Sequence, residues 1–145
     1  MTRRTGDDRG ARAAETAIPL ARLKRRPEFI TVAAARRRWA APGLVLQARR
    51  RDAETDTVPA STIRYGITAS RKVGNAVARN RAKRRLRAAA AEILPASGAA
   101  GYDVVLIARA GTLERPFAAL KDDLAKGLAK LTARHETAEP AELES

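Results

Sequence analysis

Cysteine is absent from this 145-residue sequence, and aromatic residues make up only 3% of it. Without cysteine, the chain has no disulfide, no thiolate metal ligand and no cysteine nucleophile, which fits a reducing compartment. No stretch approaches the roughly 20 apolar residues that a membrane span needs, and the polar start of the sequence lacks the hydrophobic segment of a signal peptide. We therefore expect a cytoplasmic protein.

Residues suited to catalysis are also scarce. His135 is the only histidine, so no second histidine or cysteine can complete a nucleophile–base pair. Asp122 and Asp123 are adjacent and point about 100° apart on a helix, which makes them a poor two-metal carboxylate cluster. We find no catalytic residue, and no metal or cofactor that the chain is expected to bind itself.

Positive charge is what the chain has in excess. Its 29 Lys and Arg outnumber 16 Asp and Glu, giving a formal net charge of +13. Self-repulsion makes this charge costly unless an anionic partner is bound, and nucleic acid is the obvious one. An anionic membrane surface is the alternative, but an interfacial helix needs a large apolar face that the basic segment lacks. We expect nucleic acid and no membrane.

The length is that of one domain with a modest core. Residues 1–20 show no apolar periodicity, and residues 135–145 are acidic and rich in Ala. We predict that both are disordered tails, which flank a domain of residues 21–134.

Within this domain the pattern predicts helices separated by strands. A first helix begins near Arg26, and Pro42-Gly43 predicts a turn at Trp39–Gly43. A last helix begins at Phe117 and carries an apolar stripe to Leu131. The predicted strands are Leu44–Arg49, Thr62–Ser70 and Tyr102–Ala108. The order predicts an α+β sandwich in which one helix connects two strands of the same sheet.

The connecting helix is the most informative segment. Ser70–Arg87 places eight cations and no acid in 18 residues. At about 100° per residue, its apolar residues fall within an arc of roughly 80°, so one face is expected to pack. These apolar residues are Ala78, Ala82, Leu86, Ala89 and Ile93. The cations predicted around the rest of the helix are Arg79, Arg81, Lys83, Arg84, Arg85 and Arg87.

A solvated face without a partner is the alternative for this helix. It is disfavoured because like charges at i, i+4 destabilise a helix and no acidic row offsets them. Asn75 follows Gly74 and is a candidate N-cap, a role at least as well supported as RNA contact. Asn80 lies on the cationic side, which favours contact.

The same residues resemble a known family. Gly66–Arg87 is similar to the signature of the bacterial ribonuclease P protein subunit, whose hallmark Arg-Asn-Arg run is here Arg79-Asn80-Arg81. The match includes a Ser-basic-basic strand end, a Gly-Asn helix start and a following Lys-Arg in fixed spacing. Arg22–Phe29 looks like the start of the family's first helix and Tyr102–Arg109 like its last strand. The resemblance covers roughly residues 22–132.

This resemblance implies an accessory subunit of an endoribonuclease that removes the 5′ leader of precursor tRNA. The expected partners are the catalytic RNA and precursor tRNA, with no obligate protein partner. The RNA is expected to perform the chemistry, with Mg²⁺ bound through the RNA. The implied fold is a two-layer α+β sandwich of about four strands in a mixed sheet with three helices. Its strand-helix-strand crossover is left-handed, against the usual handedness rule.

The resemblance also implies where RNA binds. The basic helix is expected to face the catalytic RNA, and a cleft between the sheet and the first helix is expected to hold the single-stranded leader. The RNA-binding candidates are Arg71, Lys72, Asn75, Arg79, Asn80, Arg81, Lys83, Arg84 and Arg87. The leader-cleft candidates are Phe29, Arg64 and Thr68. For Phe29, core packing and leader stacking both stay open.

Two positions depart from the family pattern. Many relatives carry aromatics at the positions of Ala33 and Gln47, and base–aromatic stacking contributes about 1–3 kcal/mol per base. Leader binding is therefore expected to depend more on charge and on Phe29.

Three other functions compete with this hypothesis. A ribosomal or RNA-chaperone protein would share the charge, but the ordered signature argues against it. A DNA-binding recognition helix usually follows a short helix-turn, whereas this helix follows a strand. A self-sufficient nuclease would need the catalytic residues that are missing.

Overall fold

The computed structural model describes residues 19–51, 59, 61–97 and 99–137. This part of the chain has three α-helices and five strands. The helices are α1 (Arg26–Ala34), α2 (Ala76–Ile93) and α3 (Phe117–Thr137), and the strands are β1 (Leu20–Arg22), β2 (Arg38–Ala40), β3 (Leu44–Arg50), β4 (Ile63–Thr68) and β5 (Tyr102–Ala108). The predicted tails lie outside the described residues except at their inner ends, where β1 begins at Leu20 and α3 ends at Thr137.

The strands form one mixed sheet in the order β1-β4-β5-β3-β2. β4 is parallel to both β1 and β5, whereas β3 is antiparallel to β5 and to β2. The α+β class, the mixed sheet and the three helices are confirmed, but the sheet has five strands rather than four. α2 crosses over between the parallel neighbours β4 and β5, as the resemblance implies. The left-handed sense of that crossover stays a prediction.

Both short edge strands differ from the sequence prediction. Trp39 and Ala40 belong to β2 and pair with Leu46 and Val45, so the prediction that they lie in a turn is wrong. The chain reverses just afterwards, where the Ala41 N–H donates to the Leu44 carbonyl at 2.8 Å. β1 lies at the boundary between the predicted N-terminal tail and the domain, and it was not predicted as a strand.

The main core lies between one face of the sheet and the helices α2 and α3. The apolar arc of α2 and the leucine stripe of α3 meet the inward residues of the three central strands there. Trp39 packs against the same core. The fully buried large side chains of this layer are Leu44, Leu46, Ile63, Val104, Leu106, Leu86, Leu94, Leu120, Leu124, Leu128 and Leu131. The predicted packing faces of both helices are confirmed.

A smaller core covers the opposite face of the sheet under α1. Val32 of α1 is fully buried there with Leu23 and Val105, and Phe29 packs against them. A Cβ at Gly66 of β4 would lie 2.4 Å from a ring carbon of Phe29, so only glycine allows this approach. Among the helices of the described residues, α1 is the one that packs on this face, and a groove lined by residues of α1, β3, β4 and β5 opens beside it.

Candidate RNA-binding surface

Local interactions fix the start of α2. Gly74 has φ = 147°, a backbone conformation that favours glycine. The Asn75 side chain accepts a hydrogen bond from the Ala78 N–H at 2.9 Å, which confirms the predicted N-cap. Arg79 Nη1 donates to the Gly74 carbonyl at 3.0 Å, so this arginine also helps to close the turn before the helix.

The exposed side of α2 carries a dense positive charge, which we call the basic surface. Ala82, Leu86, Ala89 and Ala90 are buried, and no acidic residue occurs from Ser70 to Arg87. The exposed members of the basic surface are Arg71, Lys72, Asn75, Asn80, Arg81, Arg84 and Arg87, and the partly buried members are Arg79 and Lys83. The structure therefore places all nine predicted RNA-binding residues on α2, at its N-cap or in the turn before it.

Arg85 does not belong to this surface. Its side chain is partly buried and donates a hydrogen bond to the Arg115 carbonyl, just before α3. The prediction that Arg85 continues the cationic side of the helix is therefore wrong. It lies about 60° from Ala82 on the helix, on the side that packs against the segment before α3.

A buried cluster of arginines around one carboxylate lies at the other end of the sheet. The strand register places Asp103 of β5 beside Arg49 of β3 and Arg64 of β4. Arg64 donates to both carboxylate oxygens, at 2.8 and 2.6 Å. Arg49 and Arg51 donate to the same carboxylate at 3.1 and 3.0 Å. We call these four residues the Asp103 cluster, which the sequence analysis missed.

A pocket of about 290 Å³ opens between this cluster and α1. Its lining residues are Pro27, Glu28, Thr31, Arg49, Arg64 and Asp103. Glu28 Oε1 accepts hydrogen bonds from the backbone N–H groups of Lys24 at 2.7 Å and Arg25 at 2.9 Å, and Oε2 lies 3.4 Å from Arg64 Nη1. The hydrogen bonds from Arg25 and Lys24 lower the pKa of Glu28 below its ordinary value, so this carboxylate is ionised at neutral pH.

The three leader-cleft candidates lie on the α1 face of the sheet but in different settings. Phe29 is partly buried and contributes to the small core. Arg64 is held by Asp103 and lines the pocket. Thr68 is partly exposed at the end of β4. Four residues at about 3.3 Å each separate Thr68 from Arg64 by roughly 13 Å along the strand.

The two positions that lack the family's aromatics are not among the residues that line the pocket. Ala33 is exposed on α1 and Gln47 is partly exposed on β3. With neither ring present, guanidinium groups provide the flat surfaces near α1, and these can also stack on bases.

Replacing Glu28 by Ala is expected to lower the free energy of unfolding by about 1 kcal/mol at neutral pH, because the N–H groups before α1 lose their acceptor. Since folding lowers the pKa of Glu28, this stabilisation is full above the ordinary value of 4.5 and disappears as the pH falls through the lowered value. Urea unfolding at several pH values tests this. The control is Glu114→Ala, an exposed site; an equal loss there, or a Glu28 effect that persists in acid, would contradict the assignment.

Among residues 19–51, 59, 61–97 and 99–137, no three His, Cys, Asp or Glu side chains form a group that could hold a metal ion. No α-helix in the described part of the chain combines the length and the apolar character needed to cross a membrane.

Known proteins resemble this chain in sequence and in fold. The Ribonuclease P family profile matches residues 19–132. The ribonuclease P protein component of Paramagnetospirillum magneticum is 50% identical over 121 residues, which cover 83% of this chain and 90% of that protein. The component of Ruegeria pomeroyi is 53% identical over 112 residues, covering 77% and 86%.

Solved structures show the same fold. The RNase P protein of Staphylococcus aureus matches with a TM-score of 0.56 and 27% identity, over 76% of this chain and 95% of that one. The RNase P protein of Thermotoga maritima matches with a TM-score of 0.58 and 23% identity, over 72% and 92%, which shows likeness of fold. With the profile matched over most of its length, this chain belongs to the Ribonuclease P family.

Proposed function

We propose that this chain is the protein subunit of a ribonuclease P, which binds the catalytic RNA and the 5′ leader of precursor tRNA. The observation that carries the proposal is the basic surface of α2, an N-capped helix whose buried face is fully packed. Six polar or cationic side chains on the helix, together with Asn75 at its N-cap and Arg71 and Lys72 in the preceding turn, suit the phosphates of a folded RNA.

The groove beside α1 is proposed to hold the leader. It lies on the opposite face of the sheet from α2, so one RNA can occupy the basic surface while a single strand follows the groove. Arg49 and Arg64 line it with guanidinium groups beside the carboxylates of Glu28 and Asp103, and Phe29 packs into the small core on the same face of the sheet. Such a combination of charge and flat groups suits single-stranded RNA.

In this proposal the protein positions RNA and does not cleave it. Counter-charge from α2 would lower the Mg²⁺ concentration that the catalytic RNA needs, and leader contacts would hold the precursor in register. Hydrolysis belongs to the RNA, with Mg²⁺ bound through it, in the cytoplasm and with no obligate protein partner.

Cleavage of a 5′-labelled precursor tRNA at low Mg²⁺ tests the proposal. The arms are the protein alone, a bacterial ribonuclease P RNA alone, and both together. Cleavage at the mature 5′ end only in the combined reaction is expected. Cleavage by the protein alone would show an active site in the protein, and no enhancement over the RNA alone would favour an RNA chaperone.

A further inference from the structure

Val77 is the most exposed large apolar side chain in the described part of the chain. It is 75% exposed, and Ile30 on α1, at 53%, is the other large apolar side chain exposed there. Val77 lies in the first turn of α2 and packs into neither core. Valine also favours a helix less than alanine does. Neither core packing nor helix formation therefore accounts for this residue.

Val77 points straight away from the protein. It precedes the buried Leu86 by nine positions, and at about 100° per residue the two side chains lie on opposite sides of α2. Asn80 and Arg81 are its neighbours one turn further on, with Cβ atoms roughly 5–6 Å away, and Arg84 follows on nearly the same line. These three residues are exposed. Val77 is therefore an apolar group within the basic surface.

The turn that carries Val77 is held in place before any ligand binds. The Asn75 side chain caps the helix through the Ala78 N–H, and Arg79 donates to the Gly74 carbonyl. A partner that covers Val77 therefore meets a fixed apolar group, and little ordering is required on binding.

The charge around Val77 restricts what can cover it. Ser70–Arg87 holds eight cations and no acid, so the covering group must belong to an anionic partner. In RNA the accessible apolar surface is the face of a base that is not stacked on another base, because a paired helix buries these faces within its stack. Every base has such a face, so the contact requires an unpaired nucleotide and not a particular base.

We propose that Val77 packs against the face of an unpaired, unstacked base of the catalytic RNA, while the cations beside it bind the phosphates next to that nucleotide. The inference rests on the proposed function and divides the affinity of the basic surface into two parts. The phosphate contacts depend on salt and accept any RNA. Burial of Val77 does not depend on charge and requires a base outside the stack, so α2 distinguishes a folded RNA from a plain duplex.

Val77→Thr tests the contact, because threonine keeps the branched shape and the charge of this position but places a hydroxyl against the base. Binding of the full-length protein to a bacterial ribonuclease P RNA is measured over a range of salt concentrations. Affinity should fall about fivefold, equivalent to about 1 kcal/mol, and by the same factor at every salt concentration. Val77→Ile keeps the apolar contact and should bind like the wild type.

Two controls separate a base contact from a disturbance of the helix. Ile30→Thr makes the same kind of change at an exposed apolar side chain on the opposite face of the sheet, and it should leave the affinity unchanged. A fully paired RNA duplex offers phosphates but no free base face, so Val77→Thr should bind it as tightly as the wild type. An equal loss on the duplex, or a changed salt slope, would overturn the proposed contact.

The absence of cysteine provides a test that does not depend on the threonine variant. Val77→Cys creates a single thiol to which an iron chelate can be attached, and the chelate cleaves nearby nucleotides of the bound RNA. Cleavage centred on an unpaired nucleotide is expected. Cleavage confined to paired helices would overturn the proposed contact.

The outcomes separate the two proposals. Unchanged affinity of Val77→Thr, in a protein that still binds the catalytic RNA and stimulates cleavage, would overturn the role of Val77 and leave the proposed function intact. Failure of the wild-type protein to bind the catalytic RNA would overturn the proposed function, and the Val77 contact with it.

Discussion

Asp103→Asn is expected to lower the free energy of unfolding by about 3–5 kcal/mol, the cost of removing one partner from a buried ion cluster. The Asp103 carboxylate is the shared acceptor for three guanidinium groups. Arg49 and Arg64 keep partial access to water, but the Arg51 side chain is only 2% exposed. Its charge would stay buried and lose the Asp103 carboxylate.

The expected loss of stability is large because Arg51 connects several strands of the sheet. Besides Asp103, it donates to the carbonyls of Tyr102, Pro59 and Thr62 at 2.7–2.9 Å. These bonds join the end of β3 to the starts of β4 and β5. Replacing the Asp103 carboxylate by an amide is therefore expected to weaken the contacts among β3, β4 and β5 together.

Urea unfolding followed by circular dichroism measures the effect, with the slope checked for unchanged two-state behaviour. The matched control is Asp122→Asn, which removes the same charge from a side chain that is 63% exposed and pairs only with Lys126 along α3. The control should change stability by less than about 0.5 kcal/mol. If Asp103→Asn lowered the free energy of unfolding by less than about 1 kcal/mol, the arginines would be bonded to other acceptors in the variant, and the prediction would be wrong.

The long elements could be predicted because their signals are local. β5 has the predicted bounds, Tyr102–Ala108. Its residues form a nearly continuous apolar run, which is typical of a central strand that is covered on both faces. α3 starts at Phe117 as predicted, directly after Pro116. The packing arc of α2 follows from helical geometry alone, and its buried residues match it.

The edge strands could not be predicted in the same way. β1 and β2 have three residues each, too few to show an alternating pattern, and each is held by hydrogen bonds to another strand. β1 pairs with the distant β4, and β2 pairs with β3, the next strand along the chain. Pro42-Gly43 correctly predicted a turn, but the turn begins after Ala40 and not at Trp39. Trp39 and Ala40 are in a strand because they pair with β3.

The Asp103 cluster and the pocket depend on strand register. The sequence signal was a single acid at the start of an apolar strand, with arginines at Arg49 and Arg64 in two other strands. Only the register that aligns both arginines with Asp103 turns these residues into one site. Arg64 was selected from strand alternation as a leader contact, and its role in fixing Asp103 needed the neighbouring strand.

Removing two exposed cations from the basic surface is the most direct test of its role. Arg81→Ala combined with Arg84→Ala should weaken binding of the catalytic RNA about thirtyfold at 0.15 M salt, if each side chain neutralises one phosphate. Both residues are exposed on α2, so stability should change by less than about 0.5 kcal/mol. Arg79 is left in place because it also bonds the Gly74 carbonyl.

The salt dependence of binding separates phosphate contact from a general charge effect. With about six phosphates neutralised, log affinity should fall with log salt with a slope near −5, and the double variant should be shallower by about 2. Lys126→Ala combined with Lys130→Ala removes the same charge from exposed sites on α3 and should keep the slope. If both double variants lost affinity equally with unchanged slopes, α2 would contribute only to the overall field of the protein, and the RNA contact would lie on another surface.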